Sequence, residues 1–481
     1  PRARRRICLG LRLMPVSSSY RPRRAILELG EAFYDRVRAA TFPKHEQRFR
    51  NRVHDATIGL GELTDDEWLA HFGRFEPLPE NLTDPLALRY HGHQFDVYNA
   101  QLGDGRGFLF AQLEDARGRL LDLGTKGSGR TPWSRGADGK LTLKGGVREV
   151  LASEMLEALG VTTSKSLSLI ETGEELLRGD EPSPTRSSVL VRLSHSHVRI
   201  GTFQRLAFLR EEGNLAKLLD YAIRHYFPKI VTTDVTEKVT QFLGRVAKNV
   251  ARLAAETMVA GFVHGVLNSD NMTITGESFD YGPYRFLPTY DTDFTAAYFD
   301  ERGLYGYGSQ PRAMFRNLLR LAEALRPLAP SLVLANVFAS FENQLEDAMT
   351  ERVLRRLGVT PRGEGEDIDL TAHLYAFFES SNVGYEQLYF DVYGGKPRLA
   401  RTLASSPAKA HYAGVTWEAF LSRLSAYEPA AASLPAYYDG ERPCTLLIDE
   451  IEAIWSAIAF ADNWSPFEAK VRAIRAMPRA F

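Results

Sequence analysis

An amphipathic run ends in the polar stretch FVHGVLNSDNMTITGESFDYG, residues 262–282, and this junction constrains the fold more than any other part of the chain. From 236 to 260, Val239, Phe242, Val246, Val250, Leu253 and Thr257 recur at helical spacing and predict a long helix with one face on a core. The chain must then enter a loop holding His264, Asp270 and Asn271, followed by Asp280 at the head of Asp-Tyr-Gly. Asn271 lies seven residues after His264, and Asp280 nine after Asn271. At that spacing the two offer hard oxygen atoms to a divalent cation. Kinase catalytic loops space a metal-binding Asn and Asp in the same way, but put a proton-accepting Asp at the third position of His-Gly-X. Here that position is Val266, which leaves Asp270 as the loop carboxylate able to act as a base. His264 reads as an anchor for the backbone rather than a ligand.

Upstream the texture is that of strands. Residues 97–128 predict a three-stranded meander, VYNAQL, FLFAQLED and LLDLGTKG, with turn chemistry between the strands. A helix is predicted over about 146–159, with Val147, Val150, Leu151, Met155 and Leu159 on one face and Gly160 closing it. Strands follow at KSLSLIE and SVLVRLSHSHVRI. Residues 28–85 look helical at first and then loop-rich. After 205 helices dominate, near 311–325, 332–355, 369–380, 416–426, 448–461 and 466–477, with a linker at 358–370. Strands first and helices after predict a two-lobed α+β architecture.

Four upstream motifs add chemistry, each with a plainer reading beside it. In LGDGRGF, Gly103 and Gly105 let backbone N–H groups approach a phosphate and Arg106 adds charge; the same letters also make a tight turn. Lys126 ends a strand and opens the basic loop GTKGSGRTPWSRGADG, where Asp138-Gly139 shapes a turn; no P-loop pattern is present. Glu149, on the next helix, can pair with Lys126, though a helical glutamate is often only solvated. Arg192 and Arg199 are seven apart, so a regular strand sends them to opposite faces, and a bend is needed to bring both to one ligand. His195 and His197 have metal-ligand spacing without a third ligand nearby.

Composition narrows the class. The net charge of −1 gives no overall field towards nucleic acid or anionic membrane, and no apolar run reaches the length of a membrane span. Two cysteines, Cys8 and Cys444, exclude a disulfide framework or a thiolate zinc cluster. Before Glu28 the chain has no acidic residue but eight arginines and three serines. That segment reads as a basic, disordered tail over 1–27, or as an organellar transit peptide, which would place the protein in mitochondria.

HGHQF…YNAQLGDGRG, KGSGRTPWSR…DG, REVLASEMLEALG, VRLSHSHVRIGTFQ, HGVLNSDNM, DYGP and YGSQP together resemble the selenoprotein O family, in order, from about residue 28 onward. The resemblance implies a protein-kinase-like two-lobed fold. Its expected divisions are an N-terminal extension and N-lobe over 28–205, a helical C-lobe over 206–330 and additional C-terminal helices over 331–481. It implies a protein adenylyltransferase of the bacterial cytoplasm or of mitochondria. ATP would bind flipped, with Mg2+ or Mn2+, and AMP would move to a Ser, Thr or Tyr hydroxyl of a protein substrate. Position by position, it implies ATP contacts from Gly103, Gly105, Arg106, Lys126, Asp138, Gly139, Arg192 and Arg199. Glu149 would orient the lysine, Asp270 accept the proton, and Asn271 and Asp280 bind the metal. A phosphotransferase using Asp270 as base, or a silent nucleotide-binding scaffold, would fit the same residues. The chain departs from the family pattern at Asp96, where Gly is expected, and in KLTLKGGV. It also ends RAMPRAF without the cysteine or selenocysteine that a redox role for the tail would need.

Overall fold

The computed structural model describes residues 17–179, 181–330, 334 and 336–478. Its centre is an antiparallel sheet of nine strands: β1 Pro22–Arg23, β2 Tyr34–Arg36, β3 Glu46–Arg50, β4 Leu86–Leu88, β7 Gly107–Glu114, β8 Leu120–Lys126, β9 Leu141–Thr142, β10 Lys165–Leu176 and β11 Thr185–Ser194. The path runs β2-β4-β7-β8-β11-β10-β3, with β1 added on β7 and β9 on β11. The remaining early strands, β5 Gly92–Gln94 and β6 Val97–Asn99, form a separate hairpin. The fold is α+β, with helices filling most of the chain after β11.

Central strands β7 and β8 are buried on both faces, which is why they read as nearly unbroken apolar runs. Val97–Asn99 does not join them as the expected third strand of a meander; it folds back on Gly92–Gln94. The expected helical character of 28–85 is confined to α1, Arg52–Thr57, and α2, Asp65–Phe72, the second carrying a capping box between Thr64 and Glu67. The rest of that region supplies short edge strands. Residues 17–27, grouped with the basic tail from composition, are packed instead. Pro22 and Arg23 pair with β7, and the Ile26 N–H donates to buried Gln112 at 2.7 Å. Residues 1–16, including Cys8, lie outside the described residues.

Helix α3, Leu143–Ala158, lies against β10 and β11 and begins where the Thr142 hydroxyl accepts from the Gly145 N–H. Val147, Val150, Leu151 and Met155 on it are fully buried, and Gly160 takes the left-handed conformation that ends it. The long helix, Val235–Val259, buries every residue of the stripe read from sequence and delivers the chain into the 262–282 segment. Later helices Phe341–Leu357, Tyr385–Val392 and Val415–Leu424 build a second apolar cluster around Phe377, Tyr385 and Trp417. The expected linker is shorter than predicted, because the helix Glu364–Ser380 starts inside it. Tyr385–Val392 and Lys396–Ser405 are helices that the sequence pattern did not single out.

Candidate nucleotide-transfer site

Lys126, Arg192 and Arg199 converge on one carboxylate, Asp280. Lys126 Nζ lies 3.1 Å from Asp280 Oδ1, Arg199 Nη1 donates to Oδ2 at 3.1 Å, and Arg192 Nη1 is bonded to Oδ1. Lys126 sits at the end of β8 and also bonds Glu149 of α3. Both members of that pair are only 4% exposed. Asp280 itself stands in a left-handed backbone conformation, φ 62°, after the buried ring of Phe279. Burial alone would raise its carboxyl, but Arg192, Lys126 and Arg199 overcome that and hold it well below the usual range.

The bend demanded by the spacing of the two arginines is present. Strand β11 ends at Ser194, two residues past Arg192. The chain then turns, and Arg199 becomes the residue before helix Ile200–Phe208, with its guanidinium over the rings of Tyr90 and Phe279. Arg199 also donates to the Asp270 carbonyl at 2.6 Å, so the same side chain fixes the loop and faces the site. His197 packs beside it. Burial, with Arg192 and Arg199 next to it, holds this imidazole well below its usual value, so it is neutral.

The loop from His264 to Met272 is fastened at several points. His264 Nε2 meets the Phe279 carbonyl at 2.9 Å, and Asn317 donates to the Leu267 carbonyl at 2.8 Å. The β5–β6 hairpin grips it from the other side: the His93 N–H donates to Ser269 Oγ at 2.8 Å and the Phe95 N–H to Asn268 Oδ1 at 3.2 Å. Asp270 is 7% exposed, and its Oδ1 has no hydrogen-bond partner. Burial lifts its carboxyl to about 6, against the pull of Arg199.

Gly92 is where this hairpin comes closest. A Cβ there would stand 2.8 Å from Asp270 Oδ1 and 3.1 Å from Asp270 Cβ. Gly92→Ala is therefore expected to displace the Asp270 carboxylate. A displacement of about 1 Å costs on the order of 10²-fold in turnover. Affinity for ATP, the ligand expected from the sequence, should hold, because Lys126, Arg192 and Arg199 are untouched; the measurement is kcat beside the Kd for ATP. Equal losses in both would remove the hairpin from any role in setting the loop.

A cavity of about 510 Å³ joins these groups. Gly103, Gly105, Arg106, Lys126, Arg192, Arg199, Asp270, Asn271 and Asp280 all line it, and Glu149 stands behind Lys126. Among its lining residues five cations, with Arg106 and Arg135, face three carboxylates, with Asp104 the third. Asp138 and Gly139 are not on its wall. The Asp138 carboxylate takes Arg178 at 2.8 and 3.1 Å and caps the Lys140 N–H, and Gly139 packs on the Gly129 backbone. Three lining residues were not singled out from the sequence: Trp133, inside the basic loop, whose ring fills the space beside Gly103; Asp104, inside LGDGRGF, 3.4 Å from Arg199; and Tyr90. Arg148 was also missed. It ties α3 to the Asp-Tyr-Gly turn through the Gly282 carbonyl at 3.3 Å and to the residues just beyond it through the Tyr284 carbonyl at 3.0 Å. The histidines do not gather: His91 bonds Tyr98, His93 bonds Gln204, and among the described residues no three His, Cys, Asp or Glu side chains form a metal cluster. Asn271 and Asp280 both line the cavity and carry oxygen atoms of the kind a hard divalent cation takes, with both Asp280 oxygens engaged by Lys126, Arg192 and Arg199.

The family model described as Protein adenylyltransferase SelO matches residues 16–475. A protein from Synechocystis named Protein nucleotidyltransferase YdiU is 42% identical over 477 residues, covering 95% of this chain and 98% of that one. Its namesake in Gloeobacter violaceus is 45% identical over 454 residues, 92% of each chain. The Vibrio cholerae protein of the same name is 35% identical over 362 residues, 75% of this chain and 72% of that one.

Proposed function

The chain belongs to the SelO family of protein adenylyltransferases, and from that premise we propose that it transfers AMP from ATP to a Ser, Thr or Tyr hydroxyl of a protein and releases pyrophosphate. The observation that carries this reading is the convergence of Lys126, Arg192 and Arg199 in one cavity with Asp270 and Asn271. Those cations, with Arg106 and a bound divalent cation, would together oppose a triphosphate's charge. ATP lies flipped, so that the α-phosphorus rather than the γ-phosphorus meets the incoming hydroxyl. Val266 at the usual base position supports this, since the reacting atoms no longer sit where a kinase needs its base.

The reaction forms one bond between the hydroxyl oxygen and the α-phosphorus and breaks the bond from that phosphorus to the bridging oxygen. The proton passes to Asp270, and the electron pair leaves with pyrophosphate. Asp270 orients the hydroxyl from the cavity wall and takes the proton late, as a loose transition state requires. Lys126, held by Glu149, and the two arginines stabilise charge on the leaving pyrophosphate. Asn271 and Asp280 would hold Mg2+, with Mn2+ suited to the same oxygens, and a cation there would neutralise phosphate charge. In this reading the sheet region over 28–205 is a kinase-like N-lobe and 206–330 the C-lobe, with 331–481 as additional helices. We place the protein in the cytoplasm, where ATP is supplied; no helix among the described residues is long and apolar enough to cross a membrane.

The test is to supply Mg2+ with ATP labelled at the α- or the γ-phosphate and ask which label becomes covalently attached to protein. Label from the α position is expected. Label from the γ position would make the chain a phosphotransferase with Asp270 as base, and no label despite bound ATP would make it a scaffold.

A further inference from the structure

The turn that carries Arg199 to the site is held by two carboxylates that are not themselves in the cavity. Glu277 Oε2 accepts from the backbone N–H of His195 at 2.8 Å, and Asp122 Oδ2 accepts from that of His197 at 2.6 Å. The two come from segments far apart in the sequence. Asp122 is on β8, four residues before Lys126, and is 1% exposed; Glu277 is in the 262–282 segment, three residues before Asp280. Both grip main chain, so they fix the path of the turn whatever side chains it carries. The path matters because β11 alone would send Arg199 away from Arg192. Beyond the turn, the Ile200 N–H donates to the Met272 carbonyl at 3.0 Å, and the Ile274 N–H donates to the Val198 carbonyl at 3.2 Å, which locks the next residues to the catalytic segment.

From this we infer that Glu277 is a positioning residue for the transfer reaction, acting with Asp122 as a clamp that aims Arg199 at the triphosphate. The inference rests on the proposed function, since it takes Arg199 to be a phosphate ligand. The clamp is costly, which speaks against an incidental contact. Burial lifts the Glu277 carboxyl to about 7 and the Asp122 carboxyl to about 6, against the pull of their backbone donors. An apolar pair would avoid that cost but would leave the two N–H groups without acceptors.

The experiment measures binding of ATP, of inorganic tripolyphosphate and of adenosine to the full chain, with thermal unfolding as the check on folding. Glu277→Leu is expected to weaken ATP and tripolyphosphate about tenfold, the loss of one charge-assisted contact, and to leave adenosine unchanged. Glu277→Gln keeps an acceptor for His195 and should restore both within about twofold. On an Arg199→Ala background, Glu277→Leu should add nothing, because the contact it steers is already gone. If Glu277→Leu does not fold, Glu277→Met gives a side chain of similar reach without an acceptor. Equal weakening of adenosine and tripolyphosphate, or losses that add to those of Arg199→Ala, would overturn the clamp while leaving Arg199 as a phosphate ligand. If Arg199→Ala leaves tripolyphosphate binding unchanged, the reading of the site fails first, and the clamp with it.

Discussion

Replacing Asp280 with alanine is expected to lower transfer by on the order of 10³-fold while ATP still binds. This carboxylate is the common acceptor of Lys126, Arg192 and Arg199, and it is one of the two oxygen-donor side chains assigned to the cation. Its removal takes away both the metal ligand of the proposed function and the group that keeps three cations facing one point. ATP affinity should survive because the freed cations gain the triphosphate as their partner. Stability should fall by about 3 kcal/mol in the absence of nucleotide, since two arginines and a lysine then crowd together in a covered site with one fewer counter-charge. Lys126 keeps Glu149, so the arginines bear most of that loss. Asp280→Asn keeps the shape and an acceptor but not the charge, so it should recover little of the stability and little of the transfer, which ties both losses to the charge. Single-turnover kinetics with α-labelled ATP, beside a denaturant titration, reads both. Transfer by Asp280→Ala at near the native rate would mean that neither the cation nor the focusing of Lys126 and the arginines is used in the chemical step.

The parts of this site that were legible in the sequence are those written in local pattern. The stripe from Val239 to Thr257 is a helix because six apolar or small residues share a face, and all six are buried. Lys126 could be placed at a strand end and Glu149 on a helix from flanking residues alone, and their pairing follows from α3 lying beside the sheet. What was not legible depends on contacts distant in sequence. The β5–β6 hairpin was misread because Val97–Asn99 has strand character, and nothing local says whether its partner is Gly92–Gln94 or Gly107–Glu114. Gly92 reads as one more glycine until Asp270, 178 residues later, is seen 2.8 Å from where its Cβ would be. Asp122 and Glu277 look like ordinary strand and loop acids, and their use by the main chain of the 195–197 turn appears only once β8, β11 and the 262–282 segment meet. Asp138 shows the converse. Its local turn character is real, as its bond to the Lys140 N–H shows, but Arg178 takes its carboxylate away from the cavity wall.

Asp270→Asn is expected to reduce transfer by about 10²- to 10³-fold without weakening ATP. Asparagine has the same shape, so the loop held by Arg199, Asn317, His93 and Phe95 keeps its path, and any loss reports on the proton rather than on the fold. The native carboxylate lines the cavity but is only 7% exposed, and its Oδ1 is buried against Gly92, so the other oxygen is the one left to meet a hydroxyl. An amide in that place can still accept a hydrogen bond from the hydroxyl through its oxygen, yet it cannot take the proton. The size of the loss should sit towards the lower end of what a general base supplies, because bond breaking to pyrophosphate runs ahead of proton transfer in a loose transition state. Removing one negative charge beside the phosphates should, if anything, tighten ATP. The measurement is single-turnover transfer of α-label at saturating ATP. A rate within a few-fold of native would show that the hydroxyl loses its proton elsewhere, and the role of Asp270 would shrink to orientation. A loss of both transfer and ATP binding would show instead that the loop had moved.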